Sequence, residues 1–322
     1  MKMRLVLVVV AAASMLVSAC GYVAEHTAPR KHAATSRSAL AIRADALFWS
    51  TFHGGRYEDI PSALEALTGA YVASPNDDLT AAHIAWLHIW RLTERARLAP
   101  VPATITDDAV LARRYFEEAV ALKPGEPRYM GFLASATLAD ASIHQDERLT
   151  RRGYFMMLDA IKAWPEFNLF TAGYVLSPQP AGSKNFQRAL AWQWRDVDVC
   201  VGAKVDRENP DFARFMGLAT TEGRKRACWN SWIAPHNFEG FFMNMGDMLV
   251  KAGDTQTARK IYANAKLSPT YSQWPFREAL ELRIRDADDN VRAFNAVTGT
   301  GSAADQRLMI NSTFACMACH QQ

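Results

Sequence analysis

The spacing of apolar residues is the feature that most constrains how this chain can fold. From Ala39 onwards, apolar residues recur three and four positions apart, as in the segments 44–52, 79–97 and 107–122. Such spacing places apolar side chains on one face of an α-helix, and convincing segments with the alternating pattern of a β-strand are missing. The sequence therefore predicts an all-α fold.

A second regularity lies inside the helical segments. A small residue is followed by a bulky apolar residue at +4, alanine at +7 and proline at +11 or +12. Small residues let neighbouring helices approach closely, the bulky residue fills the groove between them, and proline ends the helix. The four copies are Ala63, Leu67, Ala70 and Pro75; Ala112, Phe116, Ala119 and Pro124; Gly153, Met157, Ala160 and Pro165; and Ala258, Tyr262, Ala265 and Pro269.

These offsets resemble the second helix of the tetratricopeptide repeat (TPR), and Phe242, Met245, Gly246 and Leu249 resemble its first helix. The resemblance implies a TPR-like solenoid of helical hairpins over residues 39–297. The copies start 49, 41 and 105 residues apart, not at a regular interval. An irregular insertion over 166–237, with a Trp-rich helical stretch around Trp192 and Trp194, interrupts them. A generic bundle of helical hairpins is the alternative.

The first nineteen residues predict export. They combine a basic start, an apolar middle and a small-residue end, as in a secretory signal. The stretch from Val17 to Cys20 reads V-S-A-C and resembles the lipobox of bacterial lipoproteins. That resemblance implies cleavage before Cys20, lipidation of its thiol and anchoring in the cell envelope, facing the periplasm from the outer membrane. An ordinary secretory signal with a chance cysteine is the alternative.

The residues after the leader divide into three regions. Small and polar residues with an interrupting proline predict a flexible tether over 20–38. The helical domain follows over 39–297, and a C-terminal tail covers 298–322. Loss of Lys2 and Arg4 with the leader lowers the formal charge from +3 to +1, which argues against nucleic acid as a partner.

The helical domain contains two cysteines, Cys200 and Cys228. Because an exported protein meets oxidising conditions, we expect a disulfide between them. Two free buried thiols are the alternative.

The C-terminal tail contains the one motif that indicates chemistry. Residues 316–320 read C-M-A-C-H, which resembles the C-x-x-C-H haem-attachment motif of c-type cytochromes. The resemblance implies one covalent haem c, attached through Cys316 and Cys319, with His320 as the proximal ligand of the haem iron. Cysteines three apart on a helical turn lie on the same side, where they can meet the two vinyl groups of one porphyrin.

Other interpretations of the tail stay open at this point. A terminal disulfide or redox dithiol is one, and a zinc site that recruits a fourth ligand is another. If haem is bound, the distal ligand comes from upstream, and His236 is the preferred candidate because it lies near Trp229 and Trp232. The other candidates are His53, His83, His88, His144 and the body methionines, and an open sixth position is equally compatible with the sequence.

Two functions follow from these features. The first is a membrane-anchored envelope haem protein that transfers single electrons and docks a protein partner, for instance a redox partner, through its helical repeats. The second is a non-enzymatic TPR-like lipoprotein scaffold for an envelope complex. A peroxide-consuming haem enzyme is a third hypothesis, but no acid–base residue for it stands out. Phosphate-loop, dinucleotide, nucleophile-elbow and H-E-x-x-H motifs are missing from the sequence.

Overall fold

The computed structural model describes residues 21–229, 237–296 and 307–321. The chain divides into two units, residues 1–33 and residues 34–322. In the smaller unit, residues 21–26 are helical, residues 27–33 are irregular, and all of them are exposed. The leader, Cys20 and the distal-ligand candidate His236 lie outside the described residues.

Every regular element in the described part of the larger unit is helical, and no strand occurs there, which confirms the predicted all-α class. None of the described helices is both long and apolar enough to cross a membrane. Short 3₁₀ turns lie between several of the α-helices. The α-helices are α1 (Ala39–His53), α2 (Ile60–Ala73), α3 (Asp78–Thr93), α4 (Asp107–Leu122), α5 (Pro127–His144), α6 (Glu147–Ala163), α7 (Pro165–Leu176), α8 (Lys184–Val201), α9 (Phe238–Ala252), α10 (Thr255–Asn264), α11 (Arg277–Arg285), α12 (Ala287–Asn295) and α13 (Met317–His320).

Consecutive helices pack on each other, most extensively α3 on α4, α5 on α6 and α7 on α8. The residues at offsets 0, +4 and +7 of all four copies are buried. Gly246 shows why small residues matter, because a Cβ atom there would lie 2.2 Å from a ring carbon of Tyr262. Glycine therefore allows α9 to approach α10 closely.

The middle section over residues 166–237 is partly helical, and α8 contains Trp192 and Trp194, where the sequence predicts a helical stretch. Helices α7 and α8 continue through Val201, and irregular chain with 3₁₀ turns begins at Gly202. Pro165 stands in the first turn of α7, and the Ser183 side chain accepts a hydrogen bond from Phe186 N at the start of α8. Proline and serine are favoured at those positions, so neither breaks the helices.

A disulfide joins Cys200, near the end of α8, to Cys228 in the irregular stretch, with an S–S distance of 2.03 Å. This is the pair that the sequence analysis expects to be bonded. The bond closes a loop that contains Phe212, and the side chains of Phe212 and of Trp229, the residue after Cys228, are buried in the same core as α9. The disulfide therefore ties the irregular stretch to the helical body.

A buried ionic network holds residues 307–309 against the body. Arg283 Nε donates to Asp247 Oδ1 at 2.7 Å, and Tyr262 Oη donates to the same oxygen at 2.7 Å. Asp247 Oδ2 accepts from the backbone N of Met309 at 2.8 Å, and Arg283 Nη2 donates to the carbonyl of Arg307 at 2.7 Å. The network fixes the start of the tail against α9 and α11.

Candidate functional site

The C-x-x-C-H segment forms one helical turn. Backbone N–H groups of Cys319 and His320 donate to the carbonyl of Cys316 at 3.0 and 3.1 Å. Both cysteines are free thiols, and each is only 6 % exposed. The turn therefore brings the three predicted motif residues together inside the fold.

The body holds this turn through hydrogen bonds that distant helices and loops donate to its backbone carbonyls. Each donor meets a carbonyl of the tail and thereby fixes its path. The donors are Tyr174 Oη to Ala315 O at 2.7 Å, Trp274 Nε1 to Ala318 O at 2.9 Å, Asn237 N to Cys319 O at 2.9 Å, and Arg97 Nε to Thr313 O at 2.7 Å.

Glu94 caps the start of the turn. Its side chain is fully buried, and Oε1 accepts from the backbone N–H groups of Cys316 and Met317 at 2.8 and 2.9 Å. The other carboxylate oxygen accepts from Trp90 Nε1 at 2.9 Å and pairs with Arg97 Nε at 2.8 Å. Burial raises the pKa of Glu94, while Arg97 and the N–H donors oppose that rise. This carboxylate satisfies donors that would otherwise be buried without a partner.

The two thiols are held in an environment that keeps them protonated. Burial raises the pKa of Cys316 and Cys319 far above the ordinary thiol value. A redox dithiol needs a lowered thiol pKa, because the thiolate is the nucleophile. The surroundings of this pair therefore do not favour the dithiol alternative.

Gly240 on α9 gives the second thiol its space. A Cβ atom at this position would lie 2.6 Å from Cys319 Sγ and 2.8 Å from the carbonyl oxygen of Ala318. Both distances are too short for real contacts, so only glycine fits here without a shift of the turn.

The His320 ring packs between aromatic side chains. Its centroid lies 4.9 Å from Phe52 and 5.2 Å from Trp86. Burial, together with the nearby His53, lowers the pKa of His320 to about 3. The imidazole is therefore neutral near pH 7, which is the form that ligates a metal ion.

A cavity of about 880 Å³ adjoins the turn, and Cys316, Cys319 and His320 all line it. Helices α3, α4, α5 and α7 form most of its walls. The size lies at the upper end of the range for cofactor and ligand pockets, which are mostly apolar. The apolar side chains of its walls include Trp86, Ile89, Ala109, Phe132, Phe170 and Val175.

The structure does not bring the described distal-ligand candidates to this cavity. His53, His83, His88 and His144 are not among its lining residues, and its described lining contains no methionine. Each of these histidines has another partner: Trp49 for His53, Asp45 for His83, Asp108 for His88 and Asp140 for His144. His236 lies outside the described residues.

Comparisons of this chain with protein-family models, with curated proteins and with solved structures found no match. Within the described residues, no group of three His, Cys, Asp or Glu side chains is arranged to hold a metal ion.

Sequence reasoning missed the residues that position the motif. Glu94 precedes Cys316 by 222 residues, and Tyr174 precedes Ala315 by 141. No local pattern marks Glu94 as a cap for such a remote turn. The weak signals are a glutamate directly after the last residue of α3 and aromatic residues on the buried face of that helix.

Lowering the pH below 6.5 is expected to destabilise the haem-free protein, at pH values still above those at which its carboxylates titrate. Burial lowers the pKa of His53 from 6.5 to about 4 and that of His320 to about 3, and burial also lowers the pKa of His83. Below pH 6.5 the unfolded chain binds protons at these residues and the folded chain does not. The free energy of unfolding is therefore highest above pH 6.5, and it falls as the pH decreases towards the pKa values of the folded state.

Urea unfolding at about pH 7 and about pH 5 checks this expectation, because the midpoint should fall at the lower pH. Replacing His53 with glutamine should reduce the fall, whereas replacing the exposed His32 should not. Equal midpoints at the two pH values would contradict it.

Proposed function

We propose that this protein is a c-type haem protein of the bacterial envelope that transfers single electrons. One observation carries the proposal: two free thiols and a neutral imidazole, spaced as C-x-x-C-H, line the same large and mostly apolar cavity. The donor set fits haem c, since two thiols on one turn match two vinyl groups and a neutral imidazole matches the iron. The apolar walls suit a porphyrin face.

In this proposal the residues of the site have distinct roles. Cys316 and Cys319 would hold the haem covalently, and His320 would ligate its iron. When bound, the haem supplies a ferric–ferrous couple that accepts and releases one electron. Phe52 and Trp86 orient the His320 ring, and Glu94 keeps the cysteine-bearing turn in place. The packing around the turn preorganises these groups.

The envelope setting of the proposal rests on the sequence. Lipidation at Cys20 would anchor the protein at the outer membrane, facing the periplasm, and residues 21–38 would connect the anchor to the helical body. A protein partner, for instance a redox protein, would dock on the helical surface. Extraction with detergent and a mass increase on Cys20 would test the anchor.

A second candidate function is a non-enzymatic, TPR-like lipoprotein scaffold for an envelope complex. The consecutive packing of α3 to α6 and the buried small residues at the repeated offsets favour it. Deleting the last seven residues is a poor way to distinguish the two functions. The deletion also removes Met317 and Ala318, which are buried in the body. Replacing only the two thiols leaves that packing in place and is the sharper comparison.

Haem staining after denaturing electrophoresis tests the proposal. Protein exported by a host with cytochrome-maturation enzymes should keep a haem stain in the denatured band, because thioether bonds survive denaturation. The double variant C316A/C319A should lose the stain completely. The matched control removes the other two body cysteines, Cys200 and Cys228, and should keep it. An unstained wild-type band would reject the haem proposal and leave the scaffold.

A further inference from the structure

The cavity beside the motif meets the protein surface at the starts of α6 and α8. Among the residues that line it, Gln145 before α6, Glu147 at the start of α6 and Asn185 at the start of α8 are exposed. Pro178, in the turn between α7 and α8, also lines the cavity and is exposed. The outer surface of these two helix starts therefore borders the opening of the cavity.

The surface next to this opening is strongly basic. Residues 146–152 and 184–188 contain five arginine and lysine residues and two acidic residues, and all seven are exposed. These seven residues form the basic rim, which consists of Asp146, Glu147, Arg148, Arg151, Arg152, Lys184 and Arg188. The basic rim has a formal charge of +3, whereas the whole chain after the leader has +1. The rest of that chain therefore carries no net positive charge, and the excess at the rim is local.

Side-chain contacts join the basic rim to the cavity lining and to an exposed phenylalanine. Arg151 Nε donates to Glu147 Oε1 at 2.8 Å, and Glu147 is the one carboxylate in the described lining of the cavity. Arg188 donates to Tyr154 Oη, and its guanidinium carbon lies 5.4 Å from the centroid of that ring. The Tyr154 ring in turn lies 5.7 Å from the Phe155 ring. These contacts make one continuous surface from α6 to α8.

The composition of this surface fits a protein partner. Of the five cations, Arg151 alone forms an ion pair within the described residues, with Glu147. Phe155 is 63 % exposed beside them. Arginine and aromatic side chains are enriched at protein–protein interfaces, and they supply many of the residues that carry the binding energy. Because opposite charges face each other across such interfaces, the matching surface of the partner is acidic.

We infer that the basic rim and Phe155 form the docking surface for an acidic one-electron redox protein, which binds over the opening of the cavity. This inference rests on the proposed function and adds to it the place where the partner docks and the charge of that partner. One electron passes between the docked partner and the haem, and no other group is transferred. Attraction between the opposite charges speeds the encounter, and Phe155 anchors the docked partner.

Plant-type ferredoxin, a small acidic one-electron protein, is the probe for the haem-loaded full chain. Its affinity for the wild type, measured by titration calorimetry at low ionic strength, should fall about tenfold or more in the double variant Arg148→Glu/Arg152→Glu. The rate at which reduced ferredoxin passes its electron to the ferric haem should fall in parallel. Both differences should disappear near 1 M salt, where charges are screened beyond about 3 Å. Equal affinities of wild type and double variant at low ionic strength would overturn the inference.

The matched control reverses two exposed arginines elsewhere, Arg43 on α1 and Arg292 on α12, and so changes the net charge by the same amount. Neither helix contributes to the described lining of the cavity. The variant Arg43→Glu/Arg292→Glu should bind ferredoxin about as tightly as the wild type does. If it loses as much affinity as the rim variant, the net charge alone attracts ferredoxin and the inference fails.

Replacing Phe155 with alanine tests the apolar anchor. Because this side chain is exposed, the fold should tolerate the change, whereas the Kd for ferredoxin should rise about fivefold to thirtyfold. Val72→Ala on α2 is the control, since Val72 is 75 % exposed and lies outside the proposed surface. It should bind ferredoxin like the wild type. An unchanged Kd in Phe155→Ala would show that the partner does not cover α6.

Carbodiimide cross-linking locates the contact, because the reagent joins a lysine amine to a carboxyl group of ferredoxin. Lys184 is the one lysine of the basic rim and should be cross-linked. Lys184→Arg keeps the charge, so it should lose this cross-link and still bind ferredoxin. Cross-links confined to other lysines would place the docking surface elsewhere and overturn the inference.

Two further measurements separate this inference from other outcomes. Vesicles of phosphatidylcholine and phosphatidylglycerol should bind the wild type and the Arg148→Glu/Arg152→Glu variant alike. If instead the vesicles distinguish the two proteins and ferredoxin does not, the surface binds a membrane and the inference is wrong. A chain that keeps its haem stain but fails the ferredoxin tests overturns the docking surface alone, whereas an unstained chain rejects the proposed function as well.

Discussion

Replacing Glu94 with alanine is expected to release the C-terminal turn from the body. The carboxylate accepts the N–H groups of Cys316 and Met317 and the indole N–H of Trp90, and it pairs with Arg97. Without the Glu94 carboxylate, these three N–H donors and the Arg97 guanidinium lose their acceptor. We expect a loss of about 3–5 kcal/mol in the free energy of docking the tail, in the range found when one partner of a buried pair is removed.

Thiol alkylation of the haem-free protein measures this effect. In the wild type, Cys316 and Cys319 should react slowly, because both are buried and their pKa values are raised. A weakening of about 3 kcal/mol should increase the rate at which the thiols become accessible about a hundredfold. The disulfide-bonded Cys200 and Cys228 do not interfere.

The control for this experiment is Glu65→Ala, a change at an exposed position of α2. It should leave the alkylation rate near that of wild type, since exposed substitutions usually change stability little. Wild-type alkylation rates in the Glu94→Ala variant would show that the cap does not hold the turn.

Replacing Arg283 with methionine is expected to give the largest loss of global stability. Arg283 is 2 % exposed, Asp247 is fully buried, and the pair also bonds Tyr262, Met309 and Arg307. Methionine fills much of the space but leaves the carboxylate buried without its cation. The free energy of unfolding should fall by about 3–5 kcal/mol, as measured by urea denaturation with linear extrapolation.

Two further variants show whether charge is the cause. Arg285→Met removes an exposed arginine from the same helix, two positions further on, and should change the stability little. Adding Asp247→Asn to Arg283→Met removes the unpaired buried charge and should recover part of the loss. If the Arg283→Met variant were as stable as the wild type, that result would contradict the structural role assigned to this network.

The helical pattern was readable from the sequence because each helix buries residues at regular local intervals. In α4, Ala112, Phe116 and Ala119 are at most 1 % exposed, as their offsets predict. Within the middle section, the helical stretch around Trp192 and Trp194 was readable in the same way, and it lies in α8. The prolines at 178 and 180 occupy the turn between α7 and α8, where they end one helix without preventing the next.

The candidate site divides in the same way into local and distant parts. Cys316, Cys319 and His320 could be chosen from the sequence because five consecutive residues contain the whole motif. Glu94 and Tyr174 could not, because tertiary packing alone brings them to the tail across 222 and 141 residues. The preference for His236 rested on neighbouring tryptophans, whereas the aromatic residues that contact His320 come from α1 and α3.

The most direct test of the haem proposal is mass spectrometry of the C-terminal peptide. The protein for this test is exported by a bacterial host with cytochrome-maturation enzymes. If Cys316 and Cys319 hold a haem, the peptide that contains residues 316–320 will carry the mass of one haem, and neither thiol will react with an alkylating reagent. A peptide with two free thiols, or with a bond between its own two sulfurs, would contradict haem attachment.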